Sequence, residues 1–181
     1  MHRRKPAVRR HAGGLLAFGS LTSSDGVFFL GSTVGLRDLL DGSSNTAAFS
    51  ERLLGNGITF TETLPADSQR QMLQLPGAAD TTPAACSARG DGFWSGDRGA
   101  KWIVGNYGNA LYNHYYGPNI AEWDCMNTQQ QKGLTAARSL HPGGVLVLMC
   151  DGSVRFVGNG VAREVWRAVA TRAGGEVLGN W

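Results

Sequence analysis

The chain has 181 residues, 42% of them hydrophobic, enough for one domain that buries roughly 70% of the surface its unfolded form exposes. Glycine fills 26 positions, about twice the usual share, which argues for turns and loops and against a helical bundle. The net charge of +3 belongs to the start of the chain: setting aside Arg3, Arg4, Lys5, Arg9 and Arg10 leaves 12 basic residues against 14 acidic ones, so no basic stripe argues for nucleic acid, and no apolar run approaches the roughly 20 residues of a membrane helix.

Residues 1–24 read as a basic, disordered or wrongly started tail, with a short Gly-broken apolar patch from Leu15 to Leu21 that makes a poor secretory signal. Residues 25–181 read as one head domain. Val27–Leu30 and Thr33-Val34 suggest a strand turning at Gly31, and Leu36–Leu40 a short helical turn ending at Asp41-Gly42. Thr46–Leu54 reads as a strand with Phe49 inward. Ala66–Leu75 is expected to be a helix, with Pro65 before it, Asp67 in its first turn and Pro76-Gly77 as its stop. Gly77–Ala85 reads as a loop. Phe93–Trp123, with Trp94, Trp102, Tyr107, Tyr112, Tyr115, Tyr116 and Trp123 among glycines, reads as short strands and long loops, and Asp124–Gly133 as a polar loop. Val145–Cys150, Asp151-Gly152 and Ser153–Val157 predict a hairpin with a two-residue turn, with Val154 and Phe156 on one face. Val161–Arg172 predicts an amphipathic helix, closed by Gly174-Gly175. The sum is an α+β fold: a β-rich, mostly antiparallel sheet on which the terminal hairpin and helix pack.

Three blocks carry a family resemblance. His141 and Asp151-Gly152 are separated by nine residues, and Ser153-Val154-Arg155-Phe156, Trp166 and Thr171-Arg172-Ala173-Gly174-Gly175-Glu176 follow. Asp41-Gly42-Ser43-Ser44-Asn45-Thr46 precedes Phe49 and Glu51-Arg52. Tyr112-Asn113-His114 precedes Pro118-Asn119 and Cys125. In this order, over about Gly26 to Trp181, the blocks resemble the prepilin-like proteins of unknown function abundant in planctomycetes. The resemblance implies a pseudopilin-like head, an envelope-associated or extracellular location, and a non-enzymatic structural or interaction role in a type II secretion or type IV pilus-like system. Its expected partners are other pilin-like or secretion-system proteins, or surface glycans. The family's leader and long apolar helix find no counterpart here, so membrane attachment is expected only through an upstream helix. In an exported protein Cys86 and Cys125 would pair, closing a loop worth roughly 4 kcal/mol; in a cytosolic one all three thiols would be free. Cys150 reads as a small core residue.

Each motif has a bland reading beside its chemical one. Asp151-Gly152 suits a turn, and Asp41, Gly42 and Asn45 suit local backbone capping. The resemblance to pseudopilins also raises Ca²⁺, with Asp41, Asp151 and nearby carbonyls as oxygen ligands; no other cofactor is expected. His141 either positions the hairpin by a hydrogen bond or serves as ligand or base. His141 and His114 lack the partners of a zinc motif. Ser43 or Ser44 with His141 and Asp151 would make a hydrolase, but no nucleophile elbow surrounds either serine. Glu51-Arg52 suggests an ion-pair network with Arg155 or Asp41, and Arg172 with Glu176 another. The alternative to the assembly role is a solute- or glycan-binding module. It would use Trp94, Trp102, Asn113, His114, Tyr116 and Trp123, with Tyr116 and Trp123 the more exposed rings.

Overall fold

The terminal hairpin organises one of two sheets. A computed structural model describes residues 24–61, 68–88, 92–176 and 178–179. Strands β7 (Gly144–Met149) and β8 (Val154–Gly158) pair antiparallel, and β1 (Ala47–Ser50) joins the free edge of β7. Period-two alternation sends Val145, Val147, Met149 and Val157 into the core with Ala47, where Trp166 and Val169 close over them. Leu146 lies opposite Phe156, and Leu148 opposite Val154 and Phe49, on the outer face. Phe49 is thus exposed rather than inward; strand β1 is shorter than expected, and a bulge between Ala47 and Phe49 helps set which residues it buries.

The hairpin's turn differs in one respect from the expected two-residue form. The Met149 N–H donates to Ser153 O at 2.8 Å and the Gly152 N–H to Met149 O at 3.0 Å. Gly152 has φ +86° and Asp151 is not left-handed. The loop is therefore Cys150-Asp151-Gly152, with glycine in the left-handed position of a three-residue connection. At the other end a Cβ on Gly144 would meet Val157 O at 2.2 Å, so the last of the His-Pro-Gly-Gly residues is glycine because the strands need close approach there.

The second sheet has the order β2 (Thr59–Thr61), β4 (Phe93–Ser95), β3 (Met72–Leu75), β5 (Asp124–Asn127), β6 (Gly133–Leu134). All its pairings are antiparallel except β3 with β5, which is parallel. Every residue of β3 and β5 is buried, as expected for strands covered on both faces. Two expectations fail here. The helix proposed for Ala66–Leu75 is a 3-10 turn at Ser68–Arg70 followed by β3; Ala66 and Asp67 lie outside the described residues. Met72 and Leu75 suggested helical spacing, but four consecutive buried residues have no polar face to leave in water. The polar loop expected over Asp124–Gly133 is β5, a turn and β6.

Helix α1 (Pro83–Ala88) occupies part of the expected Gly77–Ala85 loop. Pro83 is at its first position, and Thr82 Oγ1 accepts from the Ala85 N–H at 3.1 Å. Helix α2 (Arg163–Ala168) is shorter than the expected Val161–Arg172. Val27–Val34 forms turns, with Gly31 at φ +75°, and no strand. The 3-10 turn Leu36–Asp38 falls where a helical turn was expected. The fold is thus sheet-rich α+β and mostly antiparallel, but built as two sheets. Ala137 packs into the hairpin core and its neighbour Ala136 into the core of the larger sheet.

Candidate functional site

The largest concentration of buried chemistry is a charge cluster absent from the sequence expectations. Asp124, on β5, is wholly enclosed. Its Oδ1 accepts from Arg138 Nε at 3.1 Å, Arg138 Nη2 at 2.9 Å and the Ala136 N–H at 3.0 Å. Its Oδ2 pairs with Arg98 Nη2, and all three side chains are fully buried. Burial alone would push the Asp124 carboxyl up; the charges of Arg98 and Arg138 and these hydrogen bonds outweigh it and hold it below the usual carboxylate range. One carboxylate between two guanidiniums leaves a buried positive charge. Carbonyls absorb it: Arg98 donates to Gln69 O at 2.9 Å, and Arg138 to Ile120 O at 2.7 Å and to Glu122 O. The cluster ties the segments that carry Arg98 and Arg138 to β5.

The expected network around Glu51-Arg52 takes other partners. Glu51 accepts from the Leu146 N–H at 2.7 Å and meets His141 Nε2 at 3.0 Å. Arg52 donates to Tyr107 O at 2.8 Å and Leu111 O at 3.3 Å. Burial, then the charge of Arg98, lowers its guanidinium to about 9. Neither Asp41 nor Arg155 pairs with them; Arg155 Nη2 donates to Ser44 O at 3.1 Å.

Asp41 latches the end of the chain. Its carboxylate accepts from the Gly174 N–H at 2.7 Å, the Gly175 N–H at 2.8 Å and Thr171 Oγ1 at 3.0 Å. Gly42, with φ +94°, and Asn45, which donates to Asp41 O at 3.0 Å, shape the turn. Arg172 makes no pair with Glu176; it donates to the carbonyls of Ser24 and Gly26. Asp151 accepts from the Ser153 N–H at 2.9 Å and its hydroxyl at 2.6 Å, bonds that hold its carboxyl below the usual range. A carboxylate ringed by N–H donors, as Asp41 is, does not suit Ca²⁺. No group of three or more metal-ligating side chains occurs among the described residues.

His141 and Asp151 stand at opposite ends of β7, about 17 Å of strand apart. Ser43 lies at the Asp151 end, where its carbonyl accepts from the Asp151 N–H at 3.1 Å. The Ser-His-Asp arrangement therefore does not assemble. His114 is a core residue: its ring stacks on Trp166 at 3.7 Å, Nδ1–H donates to Trp166 O, and Nε2 accepts from the Tyr112 hydroxyl at 3.0 Å. Burial lowers its pKa to about 4. Trp166 Nε1 donates to Tyr116 O at 2.7 Å.

The aromatic binding set disperses. Trp94, Asn113, His114 and Tyr116 are buried. Trp123 is half-buried, donating to Cys86 O at 3.1 Å. Trp102 alone of the six is exposed, at 80%. Beside this region a cleft of about 410 Å³ opens between Gly26–Gly31, β1 and the 105–114 loop, lined mainly by Phe28, Phe29, Phe49, Leu111 and Tyr112. Its floor reaches Asn113 and His114, whose polar atoms already bond within the protein. Among the described residues its lining is mainly apolar.

Cys86 on α1 and Cys125 on β5 form a disulfide with Cα atoms 5.8 Å apart, and Cys150 is a free, half-buried thiol. A disulfide is compatible with an oxidising compartment. No helix among the described residues is long and apolar enough to cross a membrane.

Two sheets, with a disulfide that ties α1 to β5 of the larger one and motif residues engaged in internal bonds, make a sheet-rich α+β domain. Residues 16–164 match the model of the proteins of unknown function DUF1559, and the chain belongs to that family. No curated protein and no solved structure matches it.

Proposed function

We propose that the protein is a non-enzymatic, envelope-associated or extracellular head domain that acts by assembly, as a pilin-like component of a type II secretion or type IV pilus-like system. The observation that carries this is the outer face of the hairpin sheet. Phe49, Leu146, Val154 and Phe156 are all exposed there, Phe49 at 56% and Phe156 at 55%. Phe49 and Val154 flank Leu148 on either side, and Leu146 lies opposite Phe156, so the row spans three strands. Apolar residues scattered singly are ordinary on a surface; a contiguous sheet face is a contact surface. The disulfide favours an exported location, and the sequence blocks supply the pilin-like direction. The domain's conspicuous His, Asp and Arg residues support it by being structural. Replacing Phe49 and Phe156 with serine should leave the fold intact and abolish crosslinks to envelope partners in native cells. Unchanged surface fibres, secretion and adhesion after deletion of the gene would sink the reading.

A further inference from the structure

The loop Gly99–Gly105 presents three consecutive apolar side chains to solvent: Trp102 and Ile103 each at 80% exposure, and Val104 at 37%. Such a run is a fault in a purely soluble surface unless it has work to do. It is also held in shape. The Gly99 N–H donates to Gly108 O at 3.0 Å, the Val104 N–H to Lys101 O at 2.8 Å and the Lys101 N–H to Asn109 Oδ1 at 2.9 Å. Asn109 in turn donates to Asn106 Oδ1 at 2.9 Å. Exposed Leu54 lies against Gly99 at the loop's base, and its segment is tied on by Gly55 N–H to Arg98 O at 2.8 Å and Gly57 N–H to Gly96 O at 3.1 Å.

We infer that this loop is a membrane-contact tip that places Trp102 and Ile103 in the interfacial layer of an anionic lipid surface. Two features select lipid over a protein partner. The first is exposure: Trp102 and Ile103 each leave most of their surface open, which a fluid medium can wrap on all sides and a flat protein face cannot. The second is charge. Residues beyond the basic tail carry more acids than bases, yet Gly99–Gly105 and Leu54–Ile58 contain no acid, and their one charge is Lys101, beside Trp102. Tryptophan at the headgroup level, isoleucine below it and lysine toward lipid phosphates is the arrangement a bilayer interface favours. The inference does not depend on the assembly reading and uses different residues.

The test is co-sedimentation of the full chain with vesicles of phosphatidylcholine and phosphatidylglycerol in equal parts, with brominated acyl chains as fluorescence quenchers. The expected result is binding with quenching. Trp102→Ser with Ile103→Ser should lower the partition coefficient at least about tenfold and remove the quenching, with urea stability unchanged because both side chains are exposed. Absence of binding would overturn the inference. So would salt-labile binding that the double variant retains without quenching, since the basic tail would then account for it. Self-association without vesicles, removed by the same substitutions, would assign the loop to a second copy of the chain and overturn it as well.

Discussion

Replacing Asp124 with asparagine keeps the shape of the side chain and removes the carboxylate that pairs with both Arg98 and Arg138, the only one to do so among the described residues. Two guanidiniums with no exposed surface then face a neutral amide. Removing one partner of a buried ion pair costs about 3–5 kcal/mol, because the survivor's charge is left uncompensated. Here two survive, so the upper half of that range is expected. Arg138→Met supplies the contrast. It leaves Asp124 with Arg98, a neutral pair, and forfeits the guanidinium's hydrogen bonds to Asp124 Oδ1, Ile120 O and Glu122 O, for an expected loss of about 2–3 kcal/mol. The order Asp124→Asn worse than Arg138→Met follows from charge counting; hydrogen-bond counting alone gives no reason for it. Urea denaturation with the disulfide intact reads both. A loss below about 1 kcal/mol for Asp124→Asn, or the reverse order, would refute the argument. The pH dependence has a definite sign. A carboxyl held below its unfolded value of about 3.9 stabilises the fold fully above that value, and the contribution is lost as pH falls through the folded pKa. Wild-type protein should therefore lose stability at this site only below about pH 4, and Asp124→Asn should lack that step.

Four further outcomes follow from the geometry. Replacing both Cys86 and Cys125 with serine opens a loop of sequence separation 39 and should cost up to about 4 kcal/mol on the loop-entropy account, read as a lower urea midpoint than the oxidised wild type. Asp41→Ala removes the acceptor for two amides and a hydroxyl; a loss of about 2–3 kcal/mol and selective loss of hydrogen-exchange protection at Gly174 and Gly175 are expected. His114, with a folded pKa of about 4, is neutral in the fold, while the unfolded chain takes up a proton near pH 6.5. Its contribution is therefore present in full above that pH and declines by about 3 kcal/mol as pH falls to about 4; an NMR titration placing the ring near 6.5 in the folded protein would refute this. Gly152→Ala, forced to φ +86°, should cost about 1 kcal/mol, and Gly152→Asn less.

Local chemistry was legible where it dictates geometry unaided. The hairpin followed from alternation around Asp151-Gly152, and the capping character of Asp41 to Asn45 from the side chains themselves. What the sequence hid was partnership. Nothing near Asp41 says that its carboxylate is taken up by amides 133 and 134 residues away, and nothing near Glu51 points to His141. Met72–Leu75 misled because apolar residues three apart fit a helix as well as a doubly buried strand. Phe49 is the large apolar side chain of its strand and so reads as inward, but it is the small Ala47 that fills the space beneath Trp166 and Val169.

Asp124 is the instructive omission, because its signal was present. It stands between Trp123 and Cys125-Met126, and an acid set in a short apolar run is either at a chain reversal or paired inside. A loop satisfies the first option at no cost, and local sequence alone does not distinguish the second. Cys125 favours the interior. A disulfide half-cystine next to the acid fixes that backbone against α1, and the parallel pairing of β3 with β5 then carries Asp124 beside Met72 in the interior. There an unpaired carboxylate would be intolerable, so the fold must bring cations to it, and Arg98 and Arg138 arrive from loops on either side in sequence. The same logic separates the domain's polar residues from its contact surfaces. Arg98, Arg138, Asp124, Asp41 and His114 hold segments together from within, while Phe49 and Phe156 on the sheet and Trp102 and Ile103 on the loop are exposed. On the proposed reading, substitutions at Trp102, Ile103 and Phe156 should change associations with little change in stability, whereas Phe49→Ser also gives up a ring contact with Phe28 at 5.0 Å.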